Sequence, residues 1–358
     1  MPKYNPISEN LTAYMLQPTS GYKYRLDIGE WELPVHPDVA ARISDFKDVC
    51  RYGAVSGDFS DLLKEVKRYA GVSVEADNVL LTNGSDNALR LLLDLYATPE
   101  SKLLVPVPSY THFESMLGVR AVARVDKPTM DYKWANAELN AFLWCELELQ
   151  PGGYDFCYLV NPSMPIGHLL SDEQIKALVR AFPETLFVVD EAYLEFSRQA
   201  SCAHLVGECP NLVVVKTFSK FFSLASLRIG YLLAAPEVVA LLKPFYNYKD
   251  ITALSVSCAL ATLKNPDFYA ANKAEFFALK EFVLDQLAAL GNPKIHDYFM
   301  NDGVYFTLIC ADPQGLKLFF DGFGIAVRNK DADIKGALRV TVGCRESMEA
   351  VFLALKQY

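Results

Sequence analysis

Five apolar runs in the first two-thirds of the chain are too continuous to leave one face wet. They are Leu103-Leu-Val-Pro-Val, Ala121-Val-Ala-Arg-Val, Phe156-Cys-Tyr-Leu-Val, Leu186-Phe-Val-Val and Leu212-Val-Val-Val. A strand that is apolar on both faces belongs inside a mainly parallel sheet, because only there do helices cover both sides. The intervening stretches have helical spacing. Phe59, Leu62, Leu63 and Val66 line one side of residues 58–69, and Ala88, Leu91, Leu92 and Leu95 line one side of residues 85–96. Asn83-Gly-Ser-Asp is expected to cap the second of these, and Ser171 and Asp172 open a third over residues 171–182. Such alternation predicts an α/β doubly wound sheet, whose ligands collect at the carboxyl ends of the strands.

From about residue 265 the pattern changes. A long helix over residues 267–290 ends at Gly291-Asn-Pro, and Tyr305-Phe-Thr-Leu-Ile, Ile325-Ala-Val-Arg and Leu338-Arg-Val-Thr-Val read as strands. Three divisions follow. Residues 1–45 are expected to pack on a small domain or a partner subunit. Residues 46–245 form a large domain, and residues 246–358 form a smaller α+β domain.

The chain has 358 residues, 51% of them hydrophobic, which is enough for a large core. Its net charge is −9 with no Lys/Arg cluster, so a nucleic-acid partner is not expected. Eight cysteines without a C-x-x-C pair read as reduced core residues of a cytoplasmic protein rather than a disulfide frame or metal site. No uncharged apolar stretch reaches membrane-spanning length, and the first residues lack the apolar region of a signal peptide.

Polar residues then gather where the strands should end. Asn83-Gly84-Ser85-Asp86 opens a helix whose free N–H groups suit an anion, with Gly84 allowing close approach. Tyr110 stands just past one strand, Asn161 leaves another through Asn-Pro-Ser-Met-Pro-Ile-Gly, and Asp190 ends a third and needs a partner if buried. Past the last strand comes Ser219-Lys220 in apolar company, with Arg228 eight residues on. A partly desolvated lysine has a lowered pKa and can form an imine with a carbonyl cofactor. Ser219 and Arg228 suit a phosphate group.

In this order the motifs resemble fold-type I pyridoxal-phosphate enzymes. Among these they look like the class I/II aminotransferases, most closely the histidinol-phosphate aminotransferase branch, over residue 50 to the C-terminus. The resemblance implies a large domain with a mainly parallel sheet and a smaller α+β C-terminal domain. It makes Lys220 the internal-aldimine lysine and proton shuttle for pyridoxal 5'-phosphate. Asp190 would face the ring nitrogen, Asn161 and Tyr193 the ring oxygen, and Tyr110 would stack on the ring. Gly84, Ser85, Asp86, Ser219 and Arg228 would hold the phosphate. Tyr52 would reach the neighbouring subunit's phosphate in a homodimer. Arg339 would clamp the carboxylate of an amino substrate, Arg328 a distal anion, and Glu30 would line the substrate pocket.

Three departures from that pattern lie on the substrate side. The expected Asn-Glu-Asn-Pro is here Gly29-Glu30-Trp-Glu-Leu-Pro34. Asn-Pro-x-x-Pro-Thr-Gly has become Asn161-Pro-Ser-Met-Pro-Ile166-Gly, followed by His168. Two glycines expected after the lysine are Ser223 and Ser226. His168 reads either as an acid–base group or as a polar residue at a loop junction. Phe245-Tyr-Asn-Tyr248 reads either as a channel lining or as hinge packing. The expected activity is transfer of the amino group of an amino acid or amino-alcohol phosphate. The alternative is a lyase: decarboxylation of a phosphorylated amino acid, or a dehydration or cyclisation. A ligand-sensing regulator is a third class, but the first 50 residues show no basic helix-turn-helix.

Overall fold

The computed structural model describes residues 21–358 apart from Glu32, Asp48, Arg51, 54–56, 72–75, Ala121, Ala123 and 149–152. Residues 1–20 of the N-terminal segment, and part of the strand expected from Ala121, therefore lie outside the described residues. The described chain opens with strand β1 (Tyr24–Arg25) and helices α1 (Pro37–Ser44) and α2 (Gly57–Ala70).

The central sheet takes β2 (Val79–Thr82), β3 (Lys102–Leu104), β4 (Arg124–Asp126), β5 (Phe156–Val160), β6 (Leu186–Asp190), β7 (Leu212–Thr217) and β8 (Gly230–Leu233). Their order is β2-β8-β7-β6-β5-β3-β4. The run from β7 to β4 is parallel, whereas β8 lies antiparallel to both β7 and β2. Every residue of β6 and β7 is buried. Alternate residues serve two separate cores: Phe187, Val189, Leu212 and Val214 face one way, and Tyr158, Val188, Val213 and Val215 the other. Helix α3 (Gly84–Tyr96) covers the second face with Ala88, Leu89, Leu92 and Leu93. Beyond α4 (Thr111–Val119) and α5 (Asn136–Glu148), α6 (Asp172–Ala181) covers the first face with Ile175, Leu178 and Val179. Ser171 starts α6 with a capping box, its hydroxyl accepting from the Gln174 N–H at 3.3 Å while Gln174 Oε1 accepts from the Ser171 N–H at 2.9 Å.

Sequence patterning did not reveal β8, α4, α5 or α8 (Ala253–Leu263), which follows α7 (Pro236–Leu242). Ten residues of α8 are buried, so it has no polar stripe to mark a helical period. The long α9 (Pro266–Ala288) leads to β9 (Ile295–Phe299), β10 (Tyr305–Cys310), α10 (Pro313–Gly322), β11 (Ile325–Ala326), β12 (Arg328–Asn329), β13 (Ala337–Thr341) and α11 (Arg345–Leu355). The strand expected over residues 325–328 is broken at Val327. β11 pairs with β1, while β12 joins an antiparallel sheet of order β12-β13-β10-β9. Five of the eight cysteines are buried, but Cys50, Cys145 and Cys344 are exposed and so are not the core residues expected.

Beneath the ends of β6 and β7 sits a buried ion cluster. Lys216 Nζ lies 3.0 Å from Glu191 Oε2 and 2.9 Å from Glu195 Oε1, with all three side chains almost wholly inaccessible. Burial opposes the ammonium, yet Glu195 and Glu191 hold its pKa well above the ordinary lysine value. Ser201 Oγ and the Cys202 N–H donate to Glu191, and Tyr69 Oη donates to Glu195 at 3.0 Å. Removing one member of such a cluster strands the others uncompensated. Lys216→Ala is therefore expected to lower unfolding free energy by about 3–5 kcal/mol, read as a shift in urea midpoint at unchanged slope.

Candidate active site at the strand ends

Asp190 ends β6, and Lys220 follows β7 by three residues. Because these strands are parallel neighbours, with Asp190 opposite Val215, both side chains arrive at the same edge of the sheet. They wall a cleft with Ser85, Asp86, Tyr110, Tyr193, Ser219 and Arg228. This cleft is continuous with a cavity of about 610 Å³ that Glu30, Tyr305, Arg328, Lys330 and Arg339 close on the far side. The volume suits a small ligand bound beside a cofactor.

Asp190 is buried and accepts from Tyr158 Oη at 2.8 Å and from the Ala192 N–H at 3.0 Å. Burial pushes its pKa up to about 6, and these two donors only partly oppose that rise. None of its hydrogen bonds comes from a cation, so the carboxylate is poised for a positive charge supplied from the cleft.

The opposite lip is built to accept an anion. Asn83 caps α3 by position only. Its side chain bonds Asp250 O instead of the helix, which corrects the expected cap and leaves the first-turn N–H groups without a side-chain acceptor there. Gly84 has φ +70°, which favours glycine, and a Cβ there would fall 2.6 Å from Arg228 Nη2 and push the guanidinium aside. Arg228 itself adopts φ +47°. Its Nη1 donates to Ser219 Oγ at 3.3 Å, and its Nη2 stands 3.7 Å from Asp86 Oδ2. Tyr110 Oη donates to Asp86 Oδ1 at 2.9 Å. Lys220 is half-buried, with Nζ 5.6 Å from the centre of the Tyr193 ring.

At the far end Arg328 and Arg339 stand directly opposite each other across β12 and β13. Like charges in that register repel unless an anion lies between or beside them. Arg339 is 5% exposed, stacks 4.2 Å from the centre of the Tyr305 ring and donates to Asp27 O at 2.6 Å, while its Nε has no acceptor among the described residues. Lys330 adds a third cation, paired with Asp333 at 2.6 Å. Burial, then Arg339, lowers its pKa.

Five residues singled out from the sequence are not among those that line the cavity. Asn161 is fixed to Leu170 by both amide atoms, Nδ2 donating to Leu170 O and Oδ1 accepting from its N–H, and it lies behind the cleft wall. His168 is buried with Nε2 3.0 Å from Trp134 O, and burial lowers its pKa, so it is a neutral loop residue rather than an acid–base group. Phe245 and Tyr248 are exposed and line no part of the cavity. Tyr52 is 53% exposed, beside Tyr248 and Lys249, and does not reach the cavity of its own chain.

Neither Tyr305 nor Lys330 is marked as a site residue by the sequence: Tyr305 opens an apolar strand, and Lys330 belongs to no motif. The departures at Trp31 and Ser223 are linked in space. Trp31 is buried among Phe196, Phe221 and Phe276, and Ser223 Oγ donates to Trp31 O at 2.8 Å. That bond offsets part of the strain of a serine at φ +57°.

A sequence profile described as aminotransferase class I and II matches residues 22–354. The chain belongs to that family. A histidinol-phosphate aminotransferase of Pectobacterium atrosepticum is 33% identical over 313 residues, spanning 82% of this chain and 81% of the relative. A dihydroxyacetone phosphate transaminase of Campylobacter jejuni is 28% identical over 346 residues, 93% of this chain and 89% of the relative. The fold is also that of histidinol-phosphate aminotransferase from Sinorhizobium meliloti, solved with pyridoxal-5'-phosphate. The TM-score is 0.85 at 21% identity, with 100% of this chain and 97% of that one covered. The family cofactor is pyridoxal 5'-phosphate. The residues here fit it: a buried carboxylate without a cation, a lysine opposite, and a glycine held open against Arg228.

With a folded pKa near 6, Asp190 keeps its proton to higher pH than the unfolded chain does. In the cofactor-free protein this costs roughly 3 kcal/mol of stability above that pH, and the cost shrinks as pH falls through the folded value and is gone only below the unfolded carboxyl value of 3.8. Cofactor-free Asp190→Asn is expected to melt higher than the parent near pH ~8, with the advantage shrinking steadily as pH is lowered through ~6 toward ~4, measured by thermal denaturation across that range.

Proposed function

We propose that the protein transfers the amino group of a phosphorylated amino acid or amino-alcohol phosphate to a keto acceptor. One observation carries this reading: Asp190 and Lys220 share a cleft whose far wall presents Arg328 directly opposite Arg339. When bound, pyridoxal phosphate carries the amino group and withdraws electrons from the substrate Cα. Lys220 Nζ would hold the cofactor and would move the proton at the substrate Cα. Asp190 faces the ring nitrogen and keeps it protonated. Tyr193 donates to the ring oxygen, aided by the second Nδ2 hydrogen of Asn161. Tyr110 stacks on the ring. The Gly84, Ser85 and Asp86 N–H groups, Ser219 and Arg228 bind the cofactor phosphate.

On the substrate side, Arg339 grips the carboxylate or its equivalent and Arg328 the distal phosphate, with Glu30 lining the approach. The two relatives that act on histidinol phosphate and dihydroxyacetone phosphate support a phosphorylated substrate. The protein works as a homodimer in which Tyr52, exposed beside Tyr248, reaches the partner's phosphate site. Residues 46–245 form the cofactor domain and residues 246–358 the smaller one, with the chain before residue 46 docked through β1 on β11. Eight free cysteines support a reducing, cytoplasmic setting.

The test begins with absorbance. Purified protein given the cofactor should gain a visible band, and borohydride should fix it to Lys220; a colourless product sinks the assignment. Amino donors supplied without a keto acid should then convert the cofactor to its amino form in one turnover. Sustained turnover that releases carbon dioxide, water or ammonia would establish the lyase instead. Lys220→Ala should abolish turnover. Arg339→Ala should cut kcat/KM roughly 10- to 100-fold, since a charge-assisted contact contributes about 1.5–3 kcal/mol. Arg328→Ala should penalise phosphorylated donors far more than their unphosphorylated analogues.

A further inference from the structure

Tyr305 begins β10, 5% exposed, between the two halves of the cavity. One side of its ring faces Arg339, whose guanidinium carbon lies 4.2 Å from the ring centre. Its hydroxyl donates to Tyr193 Oη at 2.5 Å, and Tyr193 in turn lies beside Lys220. The hydroxyl has this place because residue 29 is glycine: a Cβ there would fall 1.9 Å from Tyr305 Oη, and Gly29 adopts φ +65°. The Gly29 N–H is held by Thr341 Oγ1 at 3.1 Å, which keeps the notch rigid. Burial, then Tyr193, raises the Tyr305 pKa well above the ordinary phenol value, so it stays protonated and remains a donor at any working pH.

We propose that Tyr305 is a positioning residue which, by donating to Tyr193 Oη through the notch at Gly29, directs the Tyr193 proton onto the cofactor's ring oxygen and links the Arg339 end of the cavity to the cofactor end. A hydroxyl that accepts one hydrogen bond donates a stronger one, so the pair stabilises a ring anion more than Tyr193 alone. The proposal rests on the reading above that Tyr193 meets the ring oxygen. It also accounts for the departure at residue 29, since any larger side chain would expel the Tyr305 hydroxyl.

The test titrates the visible absorbance of the cofactor-loaded enzyme against pH. Tyr193→Phe removes the donor to the ring oxygen, making that oxygen more basic and raising the titration midpoint. Tyr305→Phe should raise the midpoint in the same direction by about half to one pH unit, because one neutral hydrogen bond is lost. The double variant should match Tyr193→Phe alone, since Tyr305 acts only through it. Gly29→Ala should reproduce the Tyr305→Phe shift. The cofactor-free Tyr305→Phe protein should melt close to the parent, which separates the shift from general damage. A midpoint moved by Tyr193→Phe but not by Tyr305→Phe overturns the proposal and leaves the ring-oxygen assignment standing. A midpoint moved by neither overturns both, and additive shifts in the double variant overturn the coupling.

Discussion

The parallel pairing of β6 with β7, locked beneath by the buried Lys216 ion cluster, is the constraint on which the rest depends. Glu191 follows Asp190 directly, and Lys216 precedes Lys220 by four residues. The two faces of these strand ends thus have opposite duties. One buries an ammonium between two carboxylates, and the other leaves Asp190 buried with neutral donors. A slip of one residue in β7 would turn Lys216 toward the cleft, and the same slip in β6 would turn Asp190 away from it.

From that anchor the cavity is assembled by elements far apart in the chain. α3 brings uncapped N–H groups, the turn after β7 brings Ser219 and Arg228, β10 brings Tyr305, and β12 and β13 with Lys330 bring a wall of cations. β1 and the loop after it lie across this wall, with Leu26 O accepting from the Thr341 N–H and Gly29 N–H bonded to Thr341 Oγ1. The N-terminal approach and the C-terminal sheet therefore behave as one structure around the substrate space. Differences at residues 29–31 are answered by Tyr305 and Ser223, each filling space or supplying a bond that the altered segment requires.

Much of this was legible in advance. The two-sided apolar runs marked the parallel strands, and Asp190 and Lys220, at the end of β6 and just past β7, marked the edge where the cleft lies. The misses have physical causes. α8 lacks a polar face, so its period is silent. The break at Val327 comes from β11 and β12 taking different partners, which local propensity does not encode. Asn161 spends its oxygen and one amide hydrogen on closing the loop at Leu170, and His168 is held at Trp134 O; neither partner is a sequence neighbour that local pattern could reveal.

The sequence by itself determined the fold class and the cofactor end, since both follow from local signals: strand hydrophobicity and the residue that ends each strand. Only the tertiary structure decided the substrate end. Arg328 meets Arg339 through strand register, Lys330 enters the wall through burial, and Tyr305 reaches Tyr193 because Gly29, 276 positions earlier, leaves room for its hydroxyl. Contacts of that kind join residues remote in sequence, and no spacing along the chain announces them.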